Sequence, residues 1–114
     1  MRINNIIGIG LTLLLFAACG QQQQAKSVVK DFVADCLQQD ADYLDFTDVD
    51  STLSVSDSVI TALRQHGPKG IQYAERKGKA LKYIRANYLV NDDTLSATFY
   101  LDAEMTGVVA YKQN

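Results

Sequence analysis

Three kinds of residue in this 114-residue chain could carry chemistry: two cysteines, a single histidine and a group of aspartates. Cys19 follows two alanines at the end of an apolar run, so small residues flank its thiol and leave it open to an enzyme that modifies thiols. Cys36 lies on the apolar stripe of a predicted helix, where a thiol packs as a small hydrophobic group. If Cys19 is modified, Cys36 has no partner in the chain, and no intramolecular disulfide can form.

The histidine and the aspartates match no catalytic or metal-binding motif. His66 lies near the predicted C-terminus of a helix, which indicates a capping or surface role. The aspartates between residues 40 and 50 offer carboxylate oxygens, but Asp48 to Leu53 lacks the glycine and the later glutamate of a calcium-binding loop. We therefore predict no metal and no cofactor. Paired carboxylates for glycoside chemistry, a phosphate-binding loop and a Cys-x-x-Cys pair are also missing, so an enzyme is not predicted.

The start of the chain has the pattern of an export signal. Arg2 is followed by an apolar run from Ile6 to Ala18. This run is shorter than the roughly 20 residues that a helix needs to cross a bilayer. We predict a signal peptide over residues 1–18, a modified cysteine with a flexible glutamine-rich spacer over 19–24, and one small domain over 25–114.

The stretch Phe16-Ala17-Ala18-Cys19 resembles the lipobox of bacterial lipoproteins. The resemblance implies that the Cys19 thiol receives diacylglycerol, that the signal peptide is cut before Cys19, and that the new amino terminus is acylated, with palmitate as the expected chain. Several acyl chains would anchor the protein to a membrane. Gly20 replaces the aspartate that commonly retains lipoproteins at the inner membrane, and no acidic cluster follows it. The resemblance therefore implies an outer-membrane position that faces the periplasm.

Charge is distributed unevenly along the chain. Eight aspartates and no cation lie between Asp31 and Asp57, whereas seven cations and one acid lie between Arg64 and Arg85. Two solvated surfaces of opposite charge within one domain account for this pattern. Nucleic acid is not a predicted partner, because the lipobox directs the protein to the cell envelope.

Two helices are predicted in the first half of the domain. Apolar residues recur at intervals of three and four from Ala25 to Gln38, which predicts an amphipathic helix. The aspartate-rich stretch 40–53 lacks a clear period, and we predict a helical turn or an ordered loop. A second helix is predicted to start at Ser54 or Ser56, either of which can cap it, and to end before Gly67-Pro68.

After Gly70 the apolar period becomes two, which predicts antiparallel strands. A hairpin with Asp92-Asp93 at its tip would pair Val90 with Leu95 and collect the apolar residues on one face. A turn at Lys77-Gly78 would place a strand containing Ile71 beside Ile84, and a last strand is predicted over Thr106–Lys112. The predicted fold is α+β, with two N-terminal helices packed on an antiparallel meander of about four strands.

The opposite, polar face of this hairpin is the predicted binding surface. Aromatic rings beside an arginine are typical of interface centres. We expect this face to bind a small polar ligand or a partner protein. The candidate residues on it are Tyr83, Arg85, Asn87, Tyr100 and Asp102.

The order of elements resembles that of small NTF2-like and cystatin-like domains, in which a helix lies across a curved sheet. Together with the lipobox, this resemblance leads us to expect an envelope protein that is anchored through Cys19 and whose domain binds a ligand or partner without catalysis. Two alternatives stay open at this point. One is an NTF2-like pocket protein or enzyme that takes a small molecule, and the other is a cystatin-like protease inhibitor.

Overall fold

The computed structural model describes residues 20–52, 55–76 and 80–114 of the chain. The predicted signal peptide, Cys19, Ser54 and the Lys77-Gly78 turn lie outside these ranges. Within them the chain forms two helices and one five-stranded antiparallel sheet. The predicted α+β fold, with two helices on an antiparallel meander, is confirmed.

Helix α1 covers residues 20–31 and continues as a π-helical turn over Phe32–Cys36. Its end is set by Gln38, whose φ of 54° is left-handed, and by a bond from the Gln39 N–H to the Val33 carbonyl at 3.0 Å. The apolar stripe predicted from the spacing is the face that meets the core. All its members are buried or packed against the core: Ala25, Val28, Val29, Phe32, Val33, Cys36 and Leu37.

The glutamine run belongs to helix α1. Residues 20–24 are helical, so the predicted flexible spacer is wrong for this stretch. Glutamine is a good helix former, and the side chains of Gln22 and Gln24 also bond to loops of the domain. Helix propensity and these bonds together explain why the run folds with the domain.

Three long strands that follow one another along the chain form most of the sheet. They are β3 (Lys82–Val90), β4 (Asp93–Leu101) and β5 (Val108–Gln113). Two short strands, β1 (Asp42–Phe46) and β2 (Asp50–Ser51), both pair with β3. The order across the sheet is therefore β1 and β2, then β3, β4 and β5.

The turn between β3 and β4 is tighter than predicted. Asn91 and Asp92 form a two-residue turn in which both φ angles are positive, 51° and 68°, as a type I′ hairpin requires. Val90 pairs with Asp93 and not with Leu95, so the predicted register is wrong by two residues. Because side chains alternate with a period of two, the shift leaves the residues of both strands on their predicted faces.

The strands that border β3 come from an unexpected part of the chain. The aspartate-rich stretch, predicted as a helical turn or loop, forms β1 and β2, with a bulge between Tyr43 and Asp45. Residues 71–76 form no strand, so the predicted strand that places Ile71 beside Ile84 is wrong. The physical reason is that each edge of β3 can pair with only one strand at a given position. Strands β1 and β2 occupy the edge with which residues 71–76 would have to pair.

The main core lies between α1 and one face of the sheet. The sheet contributes Ile84, Ala86, Tyr88, Ala97, Phe99 and Leu101, each at most 2 % exposed. The ring of Phe32 meets those of Phe99 and Tyr111 edge-on, with centroids 6.2 and 5.5 Å apart. These side chains fill the space between the helix and the sheet.

Helix α2 (Asp57–His66) packs against β5. The Ser56 hydroxyl accepts the Val59 N–H at 3.4 Å, which confirms one of the two predicted caps. Ile60 is the buried residue of this helix. It forms a second, smaller cluster with Leu81, Val109 and Ala110.

One half of the outer edge of β5 is covered by residues 71–76 and by Arg64. The Ala74 N–H donates to the Val108 carbonyl at 2.8 Å, and Arg64 Nε donates to the Val109 carbonyl at 2.9 Å. Gly107 permits this approach, since a Cβ there would lie only 2.7 Å from the Cβ of Ala74. The covered edge has fewer open backbone groups with which another chain could pair.

Candidate functional site

Cys19, the predicted lipid attachment site, lies outside the described residues. The described chain begins one residue later, within α1. No helix in residues 20–52, 55–76 and 80–114 is long and apolar enough to cross a membrane. The anchor therefore stays a prediction from the sequence, and the described candidate site is on the sheet.

The polar face of the sheet brings together residues from three neighbouring strands. Tyr83 and Arg85 of β3 lie opposite Tyr100 and Thr98 of β4. Lys112 of β5 lies on the other side of Thr98. These five residues, called the polar face below, share the side of the sheet that α1 does not cover.

A shallow cavity of about 250 Å³ opens on the polar face, and Thr52 and Asn114 complete its lining. Asn114 is held there because its backbone N–H donates to the Ser96 carbonyl at 2.7 Å and its Nδ2 to Thr98 Oγ1 at 3.4 Å. Enclosed small-molecule sites usually measure roughly 300–1,000 Å³. The cavity is therefore suited to a single side chain or a small polar group.

Two cations and two phenol rings determine the chemistry of the polar face. Arg85 and Lys112 are exposed, and Arg85 Nε donates to Thr98 Oγ1 at 3.4 Å. The rings of Tyr83 and Tyr100 lie 6.4 Å apart between centroids. No Asp or Glu is among the described residues that line the cavity. Such a surface is suited to a partner that brings carboxylates and an apolar or aromatic group.

Asn87 lies further along the same side of the sheet, outside the lining of the cavity. Its Nδ2 donates to Asp45 Oδ1 at 2.6 Å, across the pairing of β1 with β3. This bond holds the acidic strand β1 against β3. Asn87 thus has a structural partner in Asp45 and does not line the cavity, although it lies two residues from Arg85 on the same side of β3.

Asp102 is not part of the exposed face, and its prediction as a binding residue is wrong. Strand β4 ends at Leu101, and Asp102 is only 1 % exposed. Its Oδ1 accepts the Thr106 N–H at 2.6 Å, and its Oδ2 accepts the Thr106 hydroxyl. The carboxylate therefore holds the turn between β4 and β5. The period-two pattern failed here because the strand had already ended.

Sequence reasoning missed a larger groove, of about 730 Å³, between the end of α2 and the C-terminal half of β5. Its lining comes from three separate segments, so no motif spacing joins the residues. Lys112 borders both this groove and the cavity of the polar face. The groove is lined by Gln39, Leu63, His66, Gly67, Pro68, Tyr111, Lys112 and Gln113.

The other residues singled out by type have identifiable surroundings. His66 lies in the last turn of α2, as predicted, and lines the groove. Cys36 is half-buried against the core, as predicted, with its Sγ 4.0 Å from the Gln72 carbonyl oxygen. Among the residues that the structure describes, His, Cys, Asp and Glu form no group of three that could hold a metal ion.

Comparisons of the chain with models of known protein families, with curated proteins and with solved structures find no match. The resemblances to lipoproteins and to NTF2-like and cystatin-like domains therefore stay predictions from the sequence. The function has to be inferred from the geometry of the chain's own residues.

Proposed function

We propose that this protein is anchored to the bacterial cell envelope by lipid on Cys19 and that its domain binds a partner protein through the polar face. The outer membrane, on the side facing the periplasm, is the proposed location. The proposal assigns no catalytic step to any residue. Its two halves, anchor and binding face, are supported by different observations and need different tests.

The anchor is supported by the Phe16-Ala17-Ala18-Cys19 stretch that follows the apolar run. Its test is membrane fractionation of cells that express the full chain, a Cys19→Ser variant or a Cys36→Ser control. We expect mature wild-type protein and the mature control in the membrane fraction. The Cys19→Ser variant should give no mature protein in that fraction. A mature wild-type protein found outside the membrane fraction would contradict the anchor.

The binding half is carried by one observation: the polar face presents two exposed cations and two half-buried rings around a cavity that is too shallow to enclose a ligand. An enclosed pocket lined by Tyr83, Arg85 and Tyr100 would have favoured a small-molecule protein. An open face with a small central cavity favours a partner protein that inserts one side chain. Arginine and tyrosine are also the residues that most often contribute strongly to protein interfaces.

The charges of the polar face define the chemistry of the partner. Arg85 and Lys112 lie on either side of Thr98 across three strands. A guanidinium can hold a carboxylate through two parallel hydrogen bonds, and an ammonium adds attraction without a fixed geometry. The proposed partner therefore presents aspartate or glutamate beside an apolar or aromatic side chain.

Photocrosslinking in intact cells tests this interface. A photoreactive phenylalanine analogue replaces Tyr83 in one strain and Thr94 in another, because Thr94 is exposed on the same sheet but lies near the hairpin tip. We expect a discrete adduct from position 83 that is absent from position 94 and is lost when Arg85→Glu is added. Adducts of equal intensity from both positions, or an adduct unaffected by Arg85→Glu, would contradict the proposal.

A small-molecule binder is the second candidate, and the groove between α2 and β5 is what favours it. Its volume of about 730 Å³ lies within the usual range for ligand sites. Gln39 Oε1, in its lining, is buried and has no hydrogen-bond partner in the described part of the chain. Titration with small primary amides, which can donate an N–H to this oxygen, should then shift the backbone resonances of residues 63–68 and 111–113 together. Shifts scattered over the surface would argue against this function.

A further inference from the structure

Residues 20–24 belong to α1, so there is almost no flexible chain between Cys19 and the domain. A helix advances about 1.5 Å per residue, so residues 20 to 24 span about 6 Å along its axis. The step from Cys19 to residue 20 adds at most about 3.8 Å. The residue that would carry the lipid is therefore within about 10 Å of Gln24, about half the reach of an extended spacer of the same length.

Side chains of the glutamine run hold the start of α1 on two sides. Gln22 Nε2 donates to the Thr47 carbonyl at 2.9 Å, and its Oε1 accepts the Val49 N–H at 2.7 Å. Gln24 Nε2 donates to the Met105 carbonyl at 3.0 Å. The loop before β2 and the turn after β4 are thus fixed to the first turns of the helix, close to the proposed lipid.

These bonds identify the end of the domain that lies nearest to Cys19. The Thr47 N–H donates to the Arg85 carbonyl at 2.9 Å, in the first half of β3, and Met105 follows the end of β4. The hairpin tip at Asn91-Asp92 lies at the other end of both strands. The strand makes six residue steps from Arg85 to Asn91 at the tip, a distance of about 20 Å.

The surface at this end carries charges of both signs. Asp48 and Glu104 are exposed acids. Lys82 is half-buried at the start of β3, the end of that strand away from the hairpin tip. Because acids and a cation lie together here, contact with the membrane would depend chiefly on the short covalent tether.

We propose that the end formed by residues 20–24, the 47–49 loop and the 103–106 turn rests against the phospholipid headgroup layer, with the hairpin tip pointing away from it. This inference rests on the proposed lipidation of Cys19. In this arrangement the helical glutamine run connects the lipid rigidly to the domain and fixes the orientation of the domain at the membrane. The polar face, on a side of the sheet, then stays accessible to a partner.

Electron paramagnetic relaxation of the lipidated full-length protein tests this orientation. The protein is reconstituted in phosphatidylethanolamine and phosphatidylglycerol vesicles that contain a lipid with a gadolinium-chelating headgroup. A nitroxide is placed at Ala103→Cys or at the matched exposed position Thr94→Cys, both in a Cys36→Ser background. We expect severalfold stronger relaxation at 103 than at 94. A flexible Gly-Ser linker inserted between Gly20 and Gln21 should remove most of that difference.

The possible failures can be told apart. Equal relaxation at 103 and 94 in protein whose mass includes the acyl chains would overturn the orientation and leave the anchor intact. An unchanged difference after linker insertion would also overturn it, because the contact would then not depend on the tether. Protein without acyl mass would overturn the proposed function, and the orientation with it. Matching thermal melts of the labelled variants confirm that each is folded.

Discussion

The two faces of the sheet differ in what covers them. On one face α1 buries Tyr88 and Phe99, which are at most 2 % exposed. On the other, Arg85 and Lys112 stay exposed around a shallow cavity, although they alternate with buried residues on the same strands. On this second side α2 covers only part of the sheet, where Tyr100 packs against the second, smaller cluster of buried residues. Residues of the covered face therefore stabilise the fold, whereas the two cations of the polar face remain accessible to a partner.

The largest expected effect comes from removing a ring on the covered face. Phe99→Ala should lower the free energy of unfolding by about 3–5 kcal/mol, since it removes a fully buried ring that Phe32 and Tyr111 contact. Urea denaturation measures the loss, and Phe99→Leu should cost less. A loss below about 1 kcal/mol would show that this face is not the core of the domain.

The second-largest expected effect is a fall in the free energy of unfolding at high pH, which comes from buried tyrosines on the covered face. Burial raises the pKa of Tyr111 to about 12. The pKa of Tyr43 is also raised to about 12, mainly by burial and to a smaller extent by the neighbouring Tyr88. An unfolded tyrosine loses its proton near pH 10, whereas these folded tyrosines keep theirs, so the stability they contribute falls as pH rises from 10 to 12. Tyr111→Phe should make that fall shallower. An unchanged slope would contradict the burial of its hydroxyl.

A loss of about 1–3 kcal/mol is expected for Asp102→Ala, because the variant removes a buried carboxylate that accepts both the N–H and the hydroxyl of Thr106. Asp102→Asn keeps an acceptor oxygen and should retain part of that stability. Thermal melting compares the two variants. If both melt like the wild type, Asp102 does not hold the turn.

The smallest effect on stability is expected on the polar face itself. Arg85→Ala should change the free energy of unfolding by no more than about 0.5 kcal/mol, because Arg85 is exposed. The exposed Lys69→Ala, away from this face, serves as the control. Only Arg85→Ala should weaken the crosslink formed from position 83. A large loss of stability from Arg85→Ala would remove the distinction between the two faces.

Much of this division could be predicted from the sequence. The three-and-four spacing of α1 and the alternation in β3 and β4 identified the covered face, because both periods follow directly from backbone geometry. Tyr83, Arg85 and Tyr100 were placed correctly on the polar face for the same reason. The Ser56 cap was identified from its residue type and from the helix that follows it.

Other features depended on tertiary contacts that no local pattern reveals. A period of two cannot distinguish two registers that differ by two residues, so the Asn91-Asp92 turn was missed. Strands β1 and β2 were missed because aspartates and a bulge interrupt their alternation. Lys112 and Asn114 join the site only through the order of the strands. The glutamine run was taken for a spacer because its composition does not show the loops to which it bonds.

The intact mass of the mature protein extracted from membranes, together with the mass of its N-terminal fragment, is the decisive test of lipidation at Cys19. Anchoring and orientation both depend on Cys19. We expect a chain that begins at Cys19 and carries the mass of diacylglycerol plus an amide-linked acyl chain, with no such mass in Cys19→Ser. A mature chain with an unmodified Cys19 thiol would contradict the proposed lipidation.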